Sequence, residues 1–558
     1  MGYLRAKATL IRSCVRIDRS PAEERGSVRV FSTTHSLARA TRLLERSSLS
    51  TLLVIVPGLV ALATCVYQLT LPNALWGVHG SDDGVYLAPA LRLIHGAVPY
   101  RDYAFVHPPG IAWLMTPLAI FGDTRYAMAA ARIVTAIVAG LNASLAAYAV
   151  RSCGRVAMLT AGLALAVFPL AVSADHTLTL DPYLVLFCLL GTIAMFSGGR
   201  LATPPRIMLA GALFGFAGAV KLWAVFPVIA ALCVCVPLWT VAVRPFLSGL
   251  LLGFGAPTLP FFLLAPQSFV HDIFIAQLHR HTTGQGFHSV GERLVLILGL
   301  GHSSGVPAKV HLAQIVALAF FAIVVAAYFV TQRKCSRLEA FVLAATAIIV
   351  ATMLFVLKEF YEFYSYFVVA FGVMVLGVCF GRLAESIRWA GERIGGATGR
   401  GLSLTSSLAL PTLVVAAAAL IAPSGIGYAR PFLSGAFDPR STITSQIPRG
   451  ACVLFDEAGP LLDSDRFHAS MRGCPPLVDA FGLWLTDDDG VAPPARPVSQ
   501  AFVDKWTSWL ERADYAVLGV PQSDYVPWTP DLVAWFNGNY RLVASEPRAY
   551  VYEHVGAR

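Results

Sequence analysis

HGSDDGVYLAPALRLIHGAVPYRDYAFVHPPGIAWLMTPLAIFGDTRYAMAAAR, residues 79–132, lies between and runs into two apolar stretches, Leu49 to Thr70 and Tyr126 to Val150. Each stretch reaches the roughly 20 residues that a membrane-crossing helix needs. The segment between them therefore reads as a polar loop at a bilayer surface. Ser81 can cap a helix whose first turn carries Asp82 and Asp83, with Val85, Ala88, Leu91 and Leu93 along the membrane plane. Pro89 makes that helix irregular, Gly96 and Pro99 end it, and His107-Pro108-Pro109 marks an extended approach to the next apolar helix.

The rest of the chain agrees with a membrane setting. Of 558 residues, 56% are apolar and only 13% charged, and mean hydropathy is +0.64, which excludes a disordered chain and disfavours a soluble enzyme. Further apolar runs cover Val156 to Val172, Asp181 to Ser197, Ile207 to Val220, Leu222 to Val243, Pro245 to Leu264, Val310 to Val330, Leu338 to Leu357, Phe363 to Phe380 and Leu402 to Ile421. The expected fold is a polytopic α-helical membrane protein with about 11 transmembrane helices. Ile207 to Val220 spans only about 21 Å, so it and Leu222 to Val243 make either two crossings or a re-entrant hairpin.

The net charge of +9 divides unevenly: +6 over residues 1–48, +8 over 49–429 and −5 over 430–558. A basic excess in a tail and in membrane loops orients a membrane protein and does not call for nucleic acid. With the tail (1–48) cytoplasmic, Arg151/Arg155, Arg200/Arg206, Arg244, Arg333/Lys334/Arg337 and Arg382/Arg388/Arg393/Arg400 all fall inside. The membrane core, 49–429, then has outer loops at 71–125 and 265–309. Residues 430–558 form a small C-terminal α/β domain outside, with strands at Ala451 to Phe455, Ala513 to Leu518 and Ala549 to Tyr552 and helices at Ser499 to Arg512 and Pro530 to Asn537, the second closed by Gly538. Cys452 and Cys474 in this domain could close a disulfide there. Trp506 and Trp509, three apart, read as a buried helix face; stacking on sugar is the alternative.

Ten of the 13 acidic residues in the core fall on the outer side. Acidic residues contribute little to orientation, so the skew points to chemistry there. The first loop resembles the GT-C superfamily of lipid-linked-sugar glycosyltransferases, in particular the protein O-mannosyltransferase and aminoarabinose transferase group (glycosyltransferase families 39 and 83). The residues that carry the resemblance are Asp82-Asp83, Tyr86, Gly96, Tyr100, His107-Pro108-Pro109, Phe121-Gly122 and Ala130-Ala131-Arg132, with Asp175 to Asp181-Pro182 and the Gly-rich helix ending in Lys221. It covers roughly residues 50 to 240. It implies an inverting glycosyltransferase moving a sugar from a polyprenyl-phosphate donor to a cell-envelope acceptor hydroxyl (glycan, lipid or protein) on the outer face of the cell membrane.

Such a transfer needs a base for the acceptor proton and positive charge for the departing phosphate. Asp82 and Asp83 are the catalytic candidates, Asp82 as base. Tyr86, Arg92, Arg101, His107, Asp181, Lys221 and Lys358 are the substrate-binding candidates, and Arg280 and Lys309 are further cations for the phosphate. Structural readings stand beside these: the aspartates at a helix N-terminus, His107 in a turn, Asp181 as a cap. No cofactor is called for. A divalent cation is open at His279 and His281, with His271, Asp272 and His288 nearby, although interfacial polar residues are the simpler reading. The aromatics from Phe360 to Tyr366 read as an interfacial belt. A transporter or flippase of lipid-linked saccharides is the alternative function; it calls for polar residues spread through the bilayer depth. A non-catalytic scaffold is a third.

Overall fold

The computed structural model describes residues 33–80, 82–280, 289–299, 335–434, 436–470, 473–487 and 498–556, with 319, 322, 325 and 328. Ser81, His281, His288, Lys309, Arg333, Lys334 and most of the Val310 to Val330 run lie outside the described residues, as does the tail before residue 33. Residues 1–50 form one unit and Thr51–Arg558 another, and the second holds the membrane core and the C-terminal domain.

Apolar sequence of sufficient length becomes helix, because backbone groups in lipid must pair within their own segment. Among the described residues six helical stretches are long and apolar enough to cross a membrane: Leu49–Leu69, Arg125–Ala149, Leu222–Leu264, Arg337–Phe355, Glu362–Ile394 and Arg400–Gly427. Four shorter apolar helices accompany them. The helices used below are α1 (Thr33–Leu69), α2 (Ala88–Ile94), α3 (Arg125–Ala149), α4 (Arg155–Val167), α5 (Leu180–Met195), α6 (Pro204–Val220), α7 (Val225–Cys235), α8 (Arg244–Leu264), α9 (Arg337–Phe355), α10 (Ser365–Ile394) and α11 (Leu410–Ser434). Pro169 ends the Val156 to Val172 run as one helix: α4 stops at Val167 and a short helix, Pro169–Ala174, follows.

The short pair around Lys221 runs out and back. α6 and α8 run parallel in tight contact, Gly211 facing Phe246 and Gly215 facing Leu250. α7 must therefore return between them, and it packs on α9. Small residues make this approach possible. A Cβ at Gly249 would overlap the Met208 carbonyl, and one at Gly253 the Ala212 carbonyl.

The C-terminal region is a four-stranded sheet of β1 (Val453–Phe455), β2 (Tyr515–Leu518), β3 (Tyr540–Glu546) and β4 (Ala549–His554), in the order β1-β2-β4-β3. β1 and β2 are parallel; β2–β4 and β3–β4 are antiparallel. The crossover from β1 to β2 carries α12 (Ala458–Asp463), α13 (Ala480–Asp487) and α14 (Gln500–Arg512), and α15 (Pro530–Asn539) leads into β3. Ser499 caps α14 by accepting the Phe502 N–H. Trp506 and Trp509 are buried, as their spacing suggests. Gly538 does not close α15 but lies inside it, and β3, which the sequence pattern does not announce, follows at once. Its polar residues Arg541, Ser545 and Glu546 are exposed and interrupt the apolar alternation. Cys452 and Cys474 are disulfide-bonded.

The first loop departs from its expected course. Asp82 and Asp83 sit on a turn before α2, and Pro89 lies in the first turn of α2, where a missing N–H costs nothing. Val85, Ala88 and Leu91 do not lie on the membrane plane; they are buried in one apolar core with Phe455, Leu461 and Phe467 of the C-terminal domain. Arg92 explains the difference, since its guanidinium donates to the carbonyls of His468 (3.2 Å) and Leu477 (2.7 Å) and lies 5.0 Å from the Phe467 ring. In the second loop, Phe269 and Ile273 turn inward while Phe274 and Leu278 stay exposed.

Gly253→Val should destabilise the protein by about 1–3 kcal/mol through overpacking, lowering the melting temperature in detergent. Gly255→Ala, where a Cβ meets open space, should leave melting unchanged or raise it.

Candidate active site

Two adjacent aspartates have opposite environments. The Asp83 carboxylate is buried and accepts from the Arg132 guanidinium (2.6 Å), the Thr177 hydroxyl (2.6 Å) and the His79 backbone N–H (2.8 Å). Burial alone would raise its carboxyl, but Arg132 and these donors prevail and hold it at about 2. Gly84 turns the chain at φ +89°, and a Cβ at Gly459 of the C-terminal domain would sit 2.8 Å from the Asp83 carbonyl. No larger residue fits between loop and domain there.

Asp82 has no such partners. Its side chain accepts no hydrogen bond among the described residues and is exposed to solvent-sized space. Desolvation by the surrounding protein raises the carboxyl above the ordinary range, with the Asp83 charge adding to the rise and Arg280, Lys221 and Arg548 opposing it. The carboxylate thus opens on a space, the chamber, within the electrostatic reach of Arg280, Lys221 and Arg548.

Residues from several segments gather around Asp82. Lys221, at the end of α6, binds both oxygens of Asp181 at 3.0 and 2.9 Å, with its ammonium 3.6 Å from the Trp223 ring and 4.4 Å from that of Tyr364. A lysine in an apolar helix is expensive unless paired, and this pairing answers the cost. Arg280 donates to the Tyr361 hydroxyl (2.8 Å) and lies 3.4 Å from the Glu359 carboxylate. Tyr86 is buried beside Asp82, its ring 5.4 Å from that of His107. Burial, with Lys221 and Arg280 near, lowers the His107 imidazole to about 3. His107 is therefore a neutral group and not a cation for phosphate. The aromatics from Phe360 to Tyr366 are not a lipid belt: Phe360 and Tyr366 are buried, and Tyr364 packs on Trp223 at 4.2 Å.

The C-terminal domain also contributes, through residues that the sequence does not single out. Asp479 caps α13 by accepting the Phe481 and Gly482 N–H groups; burial raises it to about 6, with the charge of Asp82 adding. Arg548, in the β3–β4 turn at φ +60°, binds Glu457 at 2.7 Å and reaches Asp82 electrostatically. Tyr525 is in the electrostatic reach of Asp82, Asp479 and Glu457. A β-turn arginine at positive φ is the one local signal, and it is visible in structure rather than in sequence.

Other candidates are elsewhere. Arg92 is spent on two domain carbonyls. Arg101 is exposed and paired with Asp102 at 2.8 Å. Lys358 is exposed. Among the described residues no group of three or more His, Cys, Asp or Glu side chains could hold a metal ion; His281 and His288 lie outside them.

Asp83→Asn leaves Arg132 buried without its counter-charge and should cost about 3–5 kcal/mol. Because the folded carboxyl titrates at about 2, below the ordinary value of about 3.9, its stabilisation is full above pH ~4 and fades as pH falls toward 2. Melting temperature against pH should show this acid limb in the parent and a weakened one in Asp83→Asn.

Residues 106–263 match the family model described as dolichyl-phosphate-mannose-protein mannosyltransferase. Among solved structures, ArnT from Cupriavidus metallidurans, crystallised with undecaprenyl phosphate, is 17% identical with a TM-score of 0.59, covering 90% of this chain and 98% of that one. The Archaeoglobus fulgidus oligosaccharyltransferase tethered to an acceptor peptide is 12% identical, TM-score 0.48, covering 84% of this chain and 69% of that one. The S. cerevisiae Pmt1–Pmt2 complex bound to its sugar donor is 18% identical, TM-score 0.30, covering 45% and 38%. No curated protein matches. The matched segment holds His107, Arg132, Asp181 and Lys221, and the ArnT-like course runs through both the helical core and the sheet domain, so the chain, with six helical stretches fit to cross a membrane among its described residues, has the fold of ArnT.

Proposed function

We propose that the chain is an inverting glycosyltransferase that moves a sugar from a polyprenyl-phosphate donor to a hydroxyl of a cell-envelope acceptor on the outer face of the membrane. The observation that carries this reading is Asp82: an exposed carboxylate without a hydrogen-bond partner among the described residues, within the electrostatic reach of Arg280 and Lys221. The family match and the ArnT fold support the donor class.

In the proposed step the acceptor oxygen attacks the anomeric carbon and its proton passes to Asp82. The carbon–oxygen bond to phosphate breaks, and polyprenyl phosphate leaves with the electron pair. Attack opposite the leaving group by a singly activated acceptor inverts the centre, unlike a double displacement through two carboxylates. Arg280 and Lys221 stabilise the charge growing on the phosphate, and because protein already fixes them they need little reorganisation. The raised Asp82 carboxyl is a stronger base than an ordinary aspartate. An apolar cavity of about 810 Å³, lined by Leu163, Phe168, Val350, Val368, Val373 and Ile421 among others, starts one helical turn along α10 from Tyr364 and offers room for the prenyl chain.

Asp82→Ala should lower transfer about 10²- to 10⁴-fold, with melting temperature retained. The assay is the purified protein with radiolabelled polyprenyl-phosphate sugars. Activity of the parent should fall as pH drops through the raised Asp82 value, where the base becomes protonated. Full transfer by Asp82→Ala would remove the assignment, and lipid flipping in vesicles without transfer in detergent would favour a transporter.

A further inference from the structure

Arg280 follows the last residue of a short helix, Ala276–His279, on extended backbone with φ −47° and ψ 123°. Its guanidinium lies against two aromatic rings. The Tyr361 ring of the membrane core is 5.5 Å away, and the Phe481 ring of the C-terminal domain is 4.9 Å away. Phe481 is itself fixed: its ring is 5.7 Å from Tyr525 and 6.0 Å from Trp484, and its backbone N–H is held by Asp479 at the start of α13. Four residues upstream, the Leu477 carbonyl accepts from Arg92 of the first loop. A continuous line of contacts therefore runs from the first loop through the soluble domain to Arg280.

We infer that Phe481 is a positioning residue for Arg280, so that the soluble domain sets the cation that receives the donor's phosphate. This rests on the proposed function, and the phosphate is its ligand. A cation held against two aromatic rings keeps its charge while losing freedom to swing toward solvent. Phe481 touches neither donor nor acceptor in this role; it acts through Arg280.

The test is binding of polyprenyl phosphate, compared with uncharged polyprenol, to the detergent-purified full chain, for the parent, Phe481→Ala, Phe481→Trp, Arg280→Ala and Phe481→Ala/Arg280→Ala. The preference for phosphate over alcohol should fall about 3- to 30-fold in Phe481→Ala and recover in Phe481→Trp. In the Arg280→Ala background, Phe481→Ala should add nothing, the non-additivity expected of residues acting as one unit. Equal losses from Phe481→Ala in both backgrounds, or an unchanged preference, would overturn the inference. Phe481→Leu, which keeps apolar volume but no ring face, replaces the alanine variant if that one melts early and is held to the same outcomes. Because binding is read without turnover, absent transfer activity would count against the proposed function and leave this result standing.

Discussion

The buried pair of Asp83 and Arg132 is the contact on which the site depends. Taking both charges out of water costs several kcal/mol per ion unless every remaining donor and acceptor is used. Here the use is nearly complete: Asp83 also accepts from Thr177 and the His79 N–H, and Arg132 donates to the carbonyls of Leu75 (2.8 Å) and Gly77 (2.7 Å). The pair thus pins both ends of the turn after α1 onto α3. Asp82 inherits a fixed position from its neighbour while keeping its own carboxylate free. Loss of the pair would cost stability and also let the base drift.

The second constraint is the seating of the soluble domain on that loop. Arg125 reaches Asp438 (3.6 Å) and Asp463 (3.7 Å), Asp123 accepts the Ala469 N–H (3.1 Å), and Val78 pairs with Phe437 as an isolated bridge. Together with the shared apolar core and the close approach at Gly84 and Gly459, these contacts make the domain a wall of the chamber rather than an appendage. The same seating explains why a loop with an amphipathic pattern leaves the membrane plane: the domain supplies a drier and more specific surface than lipid headgroups.

How much of this was legible in the sequence depends on the range of the forces involved. The long apolar helices, the α14 helix and the buried Trp506 and Trp509 are local consequences of hydropathy and spacing, and they emerge where expected. The acidic loop and Lys221 were visible because a charge beside apolar sequence needs a reason. Which partner each charge takes was not visible. Arg92 and Lys358 look as suitable for phosphate as Arg280, but Arg92 is consumed by carbonyls 376 and 385 residues away, Lys358 is exposed, and Arg280 is brought in by a fold no local pattern encodes. The domain's Asp479, Phe481 and Arg548 belong to this same class of long-range contact.

Charge pairing around the chamber finally limits how it can work. Lys221 is matched by Asp181, Arg280 by Glu359, and Arg548 by Glu457, so each of these cations already has its own carboxylate. A phosphate entering such a site meets oriented donors and not a raw positive field. Its binding then depends on geometry more than on net charge, and salt should weaken it less than it would an exposed basic patch. Asp82 stands apart from this arrangement, since a carboxylate locked to a cation would be a weaker base. An array of paired cations beside a carboxylate left open to the chamber can stabilise a leaving phosphate without quenching the group that takes the proton.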